Sequence, residues 1–157
     1  MSEALAGLDW DLPIAPGHFE VSRGFSLVAT THPVDGDMRP HFGIDLKARE
    51  GEPIRAWKDG VILRAVIWDG VRPATTADGK AGTFIKVRHA GGYVTKSFHC
   101  YGIAPGLHPG VTVKRGQIIA WVGNTGSSTG PHLHWQLHDG TGTPVDPATY
   151  LEPPRAA

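Results

Sequence analysis

Apolar and polar positions alternate in five short runs of this chain, and no segment keeps an apolar spacing of three to four over three turns. The runs are GVILRAVIW (60–68), TFIKVRH (83–89), GYVTKSFH (92–99), QIIAWVG (117–123) and HLHWQLH (132–138). Each is rich in β-branched or aromatic residues and is set off by turn-forming Gly, Pro, Asp or Asn, as expected of strands. HAGGY (89–93) joins two of them with the double glycine of a tight hairpin. DGVRPATTADGKAG (69–82) is polar and long for a hairpin connection, so it reads as a functional or mobile loop. It holds no large apolar anchor, which makes it exchangeable without opening the core. Residues 1–17, with LPIAPG, read as an extended lead-in. The pattern predicts a mainly β, antiparallel fold with little helix.

Composition narrows the picture. A chain of 157 residues without a compositional break is most simply one domain with a real core. Its 21 glycines and 13 prolines, well dispersed, favour short strands and many turns. Lys+Arg and Asp+Glu are 15 each, so net charge gives no case for nucleic acid or an anionic membrane. The single cysteine, Cys100, excludes an internal disulfide and a cysteine-rich metal site. No apolar run approaches the ~18–20 residues of a membrane-spanning helix. The start, MSEALAGLDWDLP, lacks the basic and apolar regions of a signal peptide, although an already removed leader is compatible with it.

The chemistry lies in the histidines. In a strand the side-chain period is two, so His132 and His134 share one face and Leu133 takes the other. Such a pair alone is commonly two surface imidazoles. RPHFGIDLKA (39–48) changes that reading, because His41 and Asp45 stand four apart and would share a face in extended chain. Two histidines and a carboxylate are the protein ligands of a catalytic zinc site whose fourth position stays open. In KSFHCYG (96–102), His99 ends a strand; beside such a site it could act as general base or oxyanion partner.

The order HFGID, SFH, GNTGSSTGPHLHW resembles the lysostaphin-type, LytM-like zinc endopeptidases that cut peptide bonds in bacterial peptidoglycan. His41, Gly43 and Asp45 match the family's H-x-G-x-D, His99 its central strand histidine, and Gly123 through His134 its G-x-T-G-x-[ST]-x-G-P-H-L-H. GEPIRAWKDGVI (51–62), GVTVKRGQIIAWVGNTG (110–126) and TPVDPATYL (143–151) resemble its scaffold, so the likeness spans about residues 20–152.

The resemblance implies one zinc per chain held by His41, Asp45 and His134. His99 and His132 are then the non-ligand catalytic pair, with the general base unassigned between them. It also implies an open, barrel-like sheet with a peptide groove walled by loops 31–40, 69–82, 100–110 and 124–130. Residues 1–19 would be lead-in, 20–152 the peptidase domain and 153–157 a tail. The substrate would be stem or bridge peptides of peptidoglycan, direct D-alanyl or glycine-bridged. The expected setting is a monomer acting in the periplasm or outer cell wall: phage-borne, injected by a secretion system, or truncated from an exported enzyme. Two other classes are compatible with parts of the sequence. One is an inactive member that binds or activates a partner; the other is a lipoyl- or biotinyl-carrier barrel, with Lys58 as its lysine. Cys100 stands where the family usually has Leu and reads as a small buried hydrophobe. His18, His32, His89, His108 and His138 read as structural or exposed. Trp57, Trp68, Trp121 and Trp135 read as packing residues, with Trp135 facing away from zinc.

Overall fold

Strands carry almost all regular structure in the computed structural model, which describes residues 10–31, 36 and 38–152. The first six are β1 (Glu20–Arg23), β2 (Ser26–Thr31), β3 (Met38–His41), β4 (Ile44–Lys47), β5 (Pro53–Arg55) and β6 (Gly60–Val66). After one short helix, α1 (Ala77–Ala81), come β7 (Thr83–His89), β8 (Val94–Ile103) and β9 (Thr112–Val113). The last are β10 (Ile118–Val122), β11 (His132–His138) and β12 (Pro144–Val145). Ten strands form one antiparallel sheet in the order β1-β4-β11-β8-β7-β6-β9, with β10 against β5 and β8, and β12 beside β11. β2 and β3 form a separate two-stranded ribbon. The sheet stays open, as the sequence predicts.

Alternation decides which face is core. Along β11, Leu133, Trp135 and Leu137 are buried, while His132, His134, Gln136 and His138 take the other face. The buried side meets Leu46 of β4, Ile85 and Val87 of β7, Ile54 of β5, Ile119 of β10, and Trp57. Each fully buried Leu or Ile contributes about 1.5–3 kcal/mol. Trp135 therefore does face away from the histidines. Cys100 is fully buried, and burial pushes its thiol up to about 12, so it is unreactive packing.

Several elements differ from the sequence reading. The described part of the lead-in, from residue 10, enters the core: Ile14 is fully buried, the Asp11 amide donates to Trp57 O, and the Arg55 amide to Pro13 O. β8 runs past His99 to Ile103, so only the latter part of 100–110 is loop. That segment packs on β10, where the Ala104 amide donates to Ile119 O, and among the described residues it supplies no groove wall. The 69–82 loop contains α1, capped by Thr76 Oγ1 accepting from the Gly79 amide and braced by Arg64 on Asp78. No α1 residue is buried, in keeping with a segment outside the core.

Candidate active site

His41 and Asp45 do not meet by strand periodicity. β3 ends at His41, the chain turns through Phe42 and Gly43, and β4 carries Asp45 into the main sheet. The turn still brings His41 Nε2 within 3.3 Å of Asp45 Oδ1. Gly43 is required at this bend, because a Cβ there would lie 2.6 Å from Trp135 O and 2.8 Å from His134 Nε2. The third group comes from sheet register: β11 pairs with β4 so that His134 stands opposite Asp45, with Nδ1 2.7 Å from Oδ1.

Three of the four site histidines have Nδ1 tied to a backbone carbonyl. His41 Nδ1 donates to Gly24 O at 2.8 Å, His99 Nδ1 to Thr125 O at 2.7 Å, and His132 Nδ1 to Gly130 O at 2.8 Å. Those bonds direct three Nε2 atoms inward. His134 is reversed, with Nδ1 on Asp45 and Nε2 2.9 Å from the Gln136 amide. The rings of His99 and His132 lie 4.9 Å apart, and His132 Nε2 is 3.8 Å from Asp45 Oδ1.

Electrostatics follow from burial and pairing. Burial raises the Asp45 pKa, but hydrogen bonds from His134 and His41 outweigh it and hold the carboxyl ionised well below its usual range. Burial, reinforced by His132 and His134, pushes the His99 imidazole down to about 3, so it is neutral with an Nε2 lone pair at neutral pH. His134 is likewise lowered by burial, against the opposing pull of Asp45. His99 also sits at φ 62°, a left-handed conformation that a non-glycine residue adopts only when its surroundings hold it.

Among the described residues, His41, Asp45 and His134 form the cluster able to hold a metal ion, their ligand atoms all within 4.8 Å of one another. The donor set fits zinc. Tetrahedral bonds of about 2.0–2.1 Å place neighbouring ligand atoms roughly 3.3–3.4 Å apart, close to the His41–Asp45 separation. The second nitrogen of His41 donates to Gly24 O, the outer hydrogen bond such a ligand requires, and that of His134 lies beside the Gln136 amide. All five motif residues line one cleft of about 810 Å³. Its walls include Arg39 and Pro40, Asp78 and Lys80, and Ser127 and Thr129, with Phe84 and Phe98 in its floor.

The remaining histidines lie elsewhere. His18 is bonded to Glu52, His108 is exposed, and His89 is buried between Asp59 O and Thr95 Oγ1. His32 falls outside the described residues. Two residues at the site escaped the sequence reading. Gln136 could have been found, since the period that pairs His132 with His134 puts it on the same face. Arg72 could not: its partners, Asn124 and Gly126, are 52 and 54 residues away.

The model for peptidase family M23 matches residues 39–147. A peptidoglycan DD-endopeptidase of Vibrio cholerae is 35% identical over 106 residues, 68% of this chain and 22% of that protein. A zinc-containing peptidase from Vibrio cholerae superposes with a TM-score of 0.74 at 28% identity, covering 95% of this chain and 41% of that one. The catalytic domain of lysostaphin from Staphylococcus simulans does so at 0.64 and 28%, covering 85% of this chain and 92% of the other. The chain spans about a quarter of the length of the curated relatives it matches.

Proposed function

This chain belongs to peptidase family M23, and from that membership we propose that it is a zinc-dependent endopeptidase cutting peptide bonds in peptidoglycan. The observation that carries this reading is the convergence of His41 Nε2, Asp45 Oδ1 and His134 Nδ1 beside His99 and His132 in one cleft. His41, Asp45 and His134 would hold the metal. When bound, zinc supplies Lewis acidity, polarising a carbonyl and bringing the pKa of water to about 7.

The chain's own groups do the rest. Nε2 of His99 or His132 takes a proton from the attacking water, and the proton is later delivered to the leaving amine. The other imidazole, carrying a proton at Nε2, donates to the carbonyl oxygen as it gains charge. The Thr125 and Gly130 carbonyls keep Nδ1 of both rings protonated, so the base accepts at a bare Nε2 and the donating ring carries its Nε2 proton as an imidazolium. The cleft takes an extended peptide, held by its loop walls. Residues 20–152 form the catalytic domain, acting as a monomer on stem or bridge peptides in the periplasm or outer wall. A binding-only member would be expected to lack part of this constellation, whereas all five groups are present and mutually oriented.

The test pairs zinc analysis with mass spectrometry of a peptidoglycan digest. His41→Ala and Asp45→Ala should lose stoichiometric zinc together with activity. His99→Ala and His132→Ala should keep zinc but lose roughly 10²-fold or more in turnover. New amino and carboxyl ends should appear within peptides while glycan chains stay uncut. Full zinc in the first pair, or new reducing sugar ends, would overturn the proposal.

A further inference from the structure

Three successive carbonyls of the loop leading into β11 are each claimed by a side chain. Asn124 O accepts from Arg72 Nη2 at 2.6 Å, and Gly126 O accepts from Arg72 Nε at 3.2 Å. Thr125 O, between them, accepts from His99 Nδ1 at 2.7 Å. One guanidinium thus grips the carbonyls on both sides of the one that holds the catalytic imidazole. Arg72 is itself held by stacking on Trp68, with its guanidinium carbon 4.9 Å from the ring centroid.

The loop is anchored from two other sides: the Ser127 amide donates to Lys80 O of α1 at 2.9 Å, and the strand side holds Thr125. Thr125 Oγ1 donates to Cys100 O at 2.8 Å and accepts from the Thr83 amide at 3.0 Å. That hydroxyl fixes where residue 125 sits, and the peptides on either side of the one carrying Thr125 O are held by Arg72, the second of them also by Lys80 O. His99 needs such support more than an ordinary strand residue does, because its φ of 62° leaves the ring on strained backbone. Nε2 stays a free acceptor only while Nδ1 keeps its proton on Thr125 O.

We infer that Arg72 is a positioning residue for His99: by clamping the Asn124 and Gly126 carbonyls, it aims the Thr125 carbonyl at His99 Nδ1 and fixes the imidazole's tautomer. The inference rests on the catalytic reading of His99 given above. Lysine cannot substitute, because a single ammonium on a flexible stem lacks the planar fork that spans two carbonyls and stacks on Trp68. The 69–82 segment is then more than a groove wall, since it reaches the catalytic ring through one peptide bond.

The experiment uses the full chain with Arg72→Gln and Arg72→Lys. Long-range ¹⁵N–¹H NMR of the imidazoles should show His99 as one Nδ1–H tautomer in the parent and as a mixture in both variants. Steady-state kinetics should show kcat lowered roughly 10-fold or more with KM and bound zinc unchanged. Because Arg72 is exposed and outside the core, both variants are expected to fold, and circular dichroism checks this. A single unchanged His99 tautomer in Arg72→Gln, or a kcat within twofold of the parent, would overturn the inference even if the melting temperature fell. The NMR result does not depend on turnover. Retained activity in His99→Ala would therefore sink the catalytic reading separately, leaving the tautomer result to stand or fall by itself.

Discussion

His89 shows how a histidine can be structural and still govern behaviour. Its Nδ1 donates to Asp59 O at 3.0 Å, its Nε2 accepts from Thr95 Oγ1 at 2.8 Å, and its ring meets the Trp57 ring at 5.0 Å. Burial lowers its pKa below 6.5, against a smaller opposing pull from the Asp59 carbonyl. The unfolded chain therefore takes up a proton first as pH falls through about 6.5, while the native state does not. The stability lost that way amounts to at most about 1.4 kcal/mol per pH unit, ending once the folded pKa is passed. His99, His134 and His138 are lowered too and add to the same slope. Urea denaturation at pH 7 and pH 5.5 should show the protein weaker at the lower pH, with a smaller difference in His89→Gln. An equal pH difference in both proteins would show that His89 does not bind protons differently on folding. The sequence identified this residue only as structural or exposed, because HAGGY has no sign of the Asp59 carbonyl that receives it.

At the scale of elements, period and register carried different amounts of information. The period of two in HLHWQLH was readable, and it put the imidazoles on one face and Trp135 on the other. Register was not readable, since the His134–Asp45 contact spans 89 residues and depends on β11 pairing with β4. His41 and Asp45 do meet, but a bend at Gly43, not the continuous strand assumed from their spacing, brings them together. The same strand face extends the site: Gln136 Oε1 lies 2.8 Å from His138 Nε2, and His138 Nδ1 lies 3.2 Å from Gly142 O. For His134 Nδ1 to offer a lone pair to a metal, its proton must sit on Nε2 and donate to the Gln136 carbonyl oxygen. Turning the amide over does this, and its NH₂ then donates to His138 Nε2 while His138 Nδ1–H keeps Gly142 O. Gln136→Leu removes that acceptor at similar volume. Zinc affinity measured against a chromophoric chelator should fall roughly 10–100-fold, with the melting curve of the metal-free protein little changed. Unaltered affinity would show that His134 needs no outer partner.

For the whole molecule, a net charge of zero conceals an uneven distribution. Arg23, Arg39, Lys47, Lys80 and Lys86 all line the cleft, on several different elements. The two carboxylates among the described lining residues are already engaged, Asp45 by histidines and Asp78 by Arg64. Over the described lining residues the cleft therefore presents more positive than negative charge to whatever enters it. Counting charges along the chain could not show this, because the five cations are scattered from position 23 to position 86 and only the fold gathers them. A peptide bearing free carboxylates should be favoured over a neutral oligoglycine, and the choice between direct and glycine-bridged cross-links becomes partly one of charge. Exposed pairs are each worth about 0.2–1 kcal/mol, so Lys80→Gln with Lys86→Gln should raise KM for an acidic stem peptide roughly 2–30-fold. Turnover of oligoglycine should hardly move. Salt supplies the second arm: the screening length shortens from about 10 Å at 0.1 M to about 3 Å at 1 M. The ratio of kcat/KM for acidic over neutral substrate should therefore decline steadily as salt is raised, and more steeply in the parent than in the double variant. A ratio that ignores both salt and the lysines would mean that loop shape, not the cleft's field, chooses the peptide.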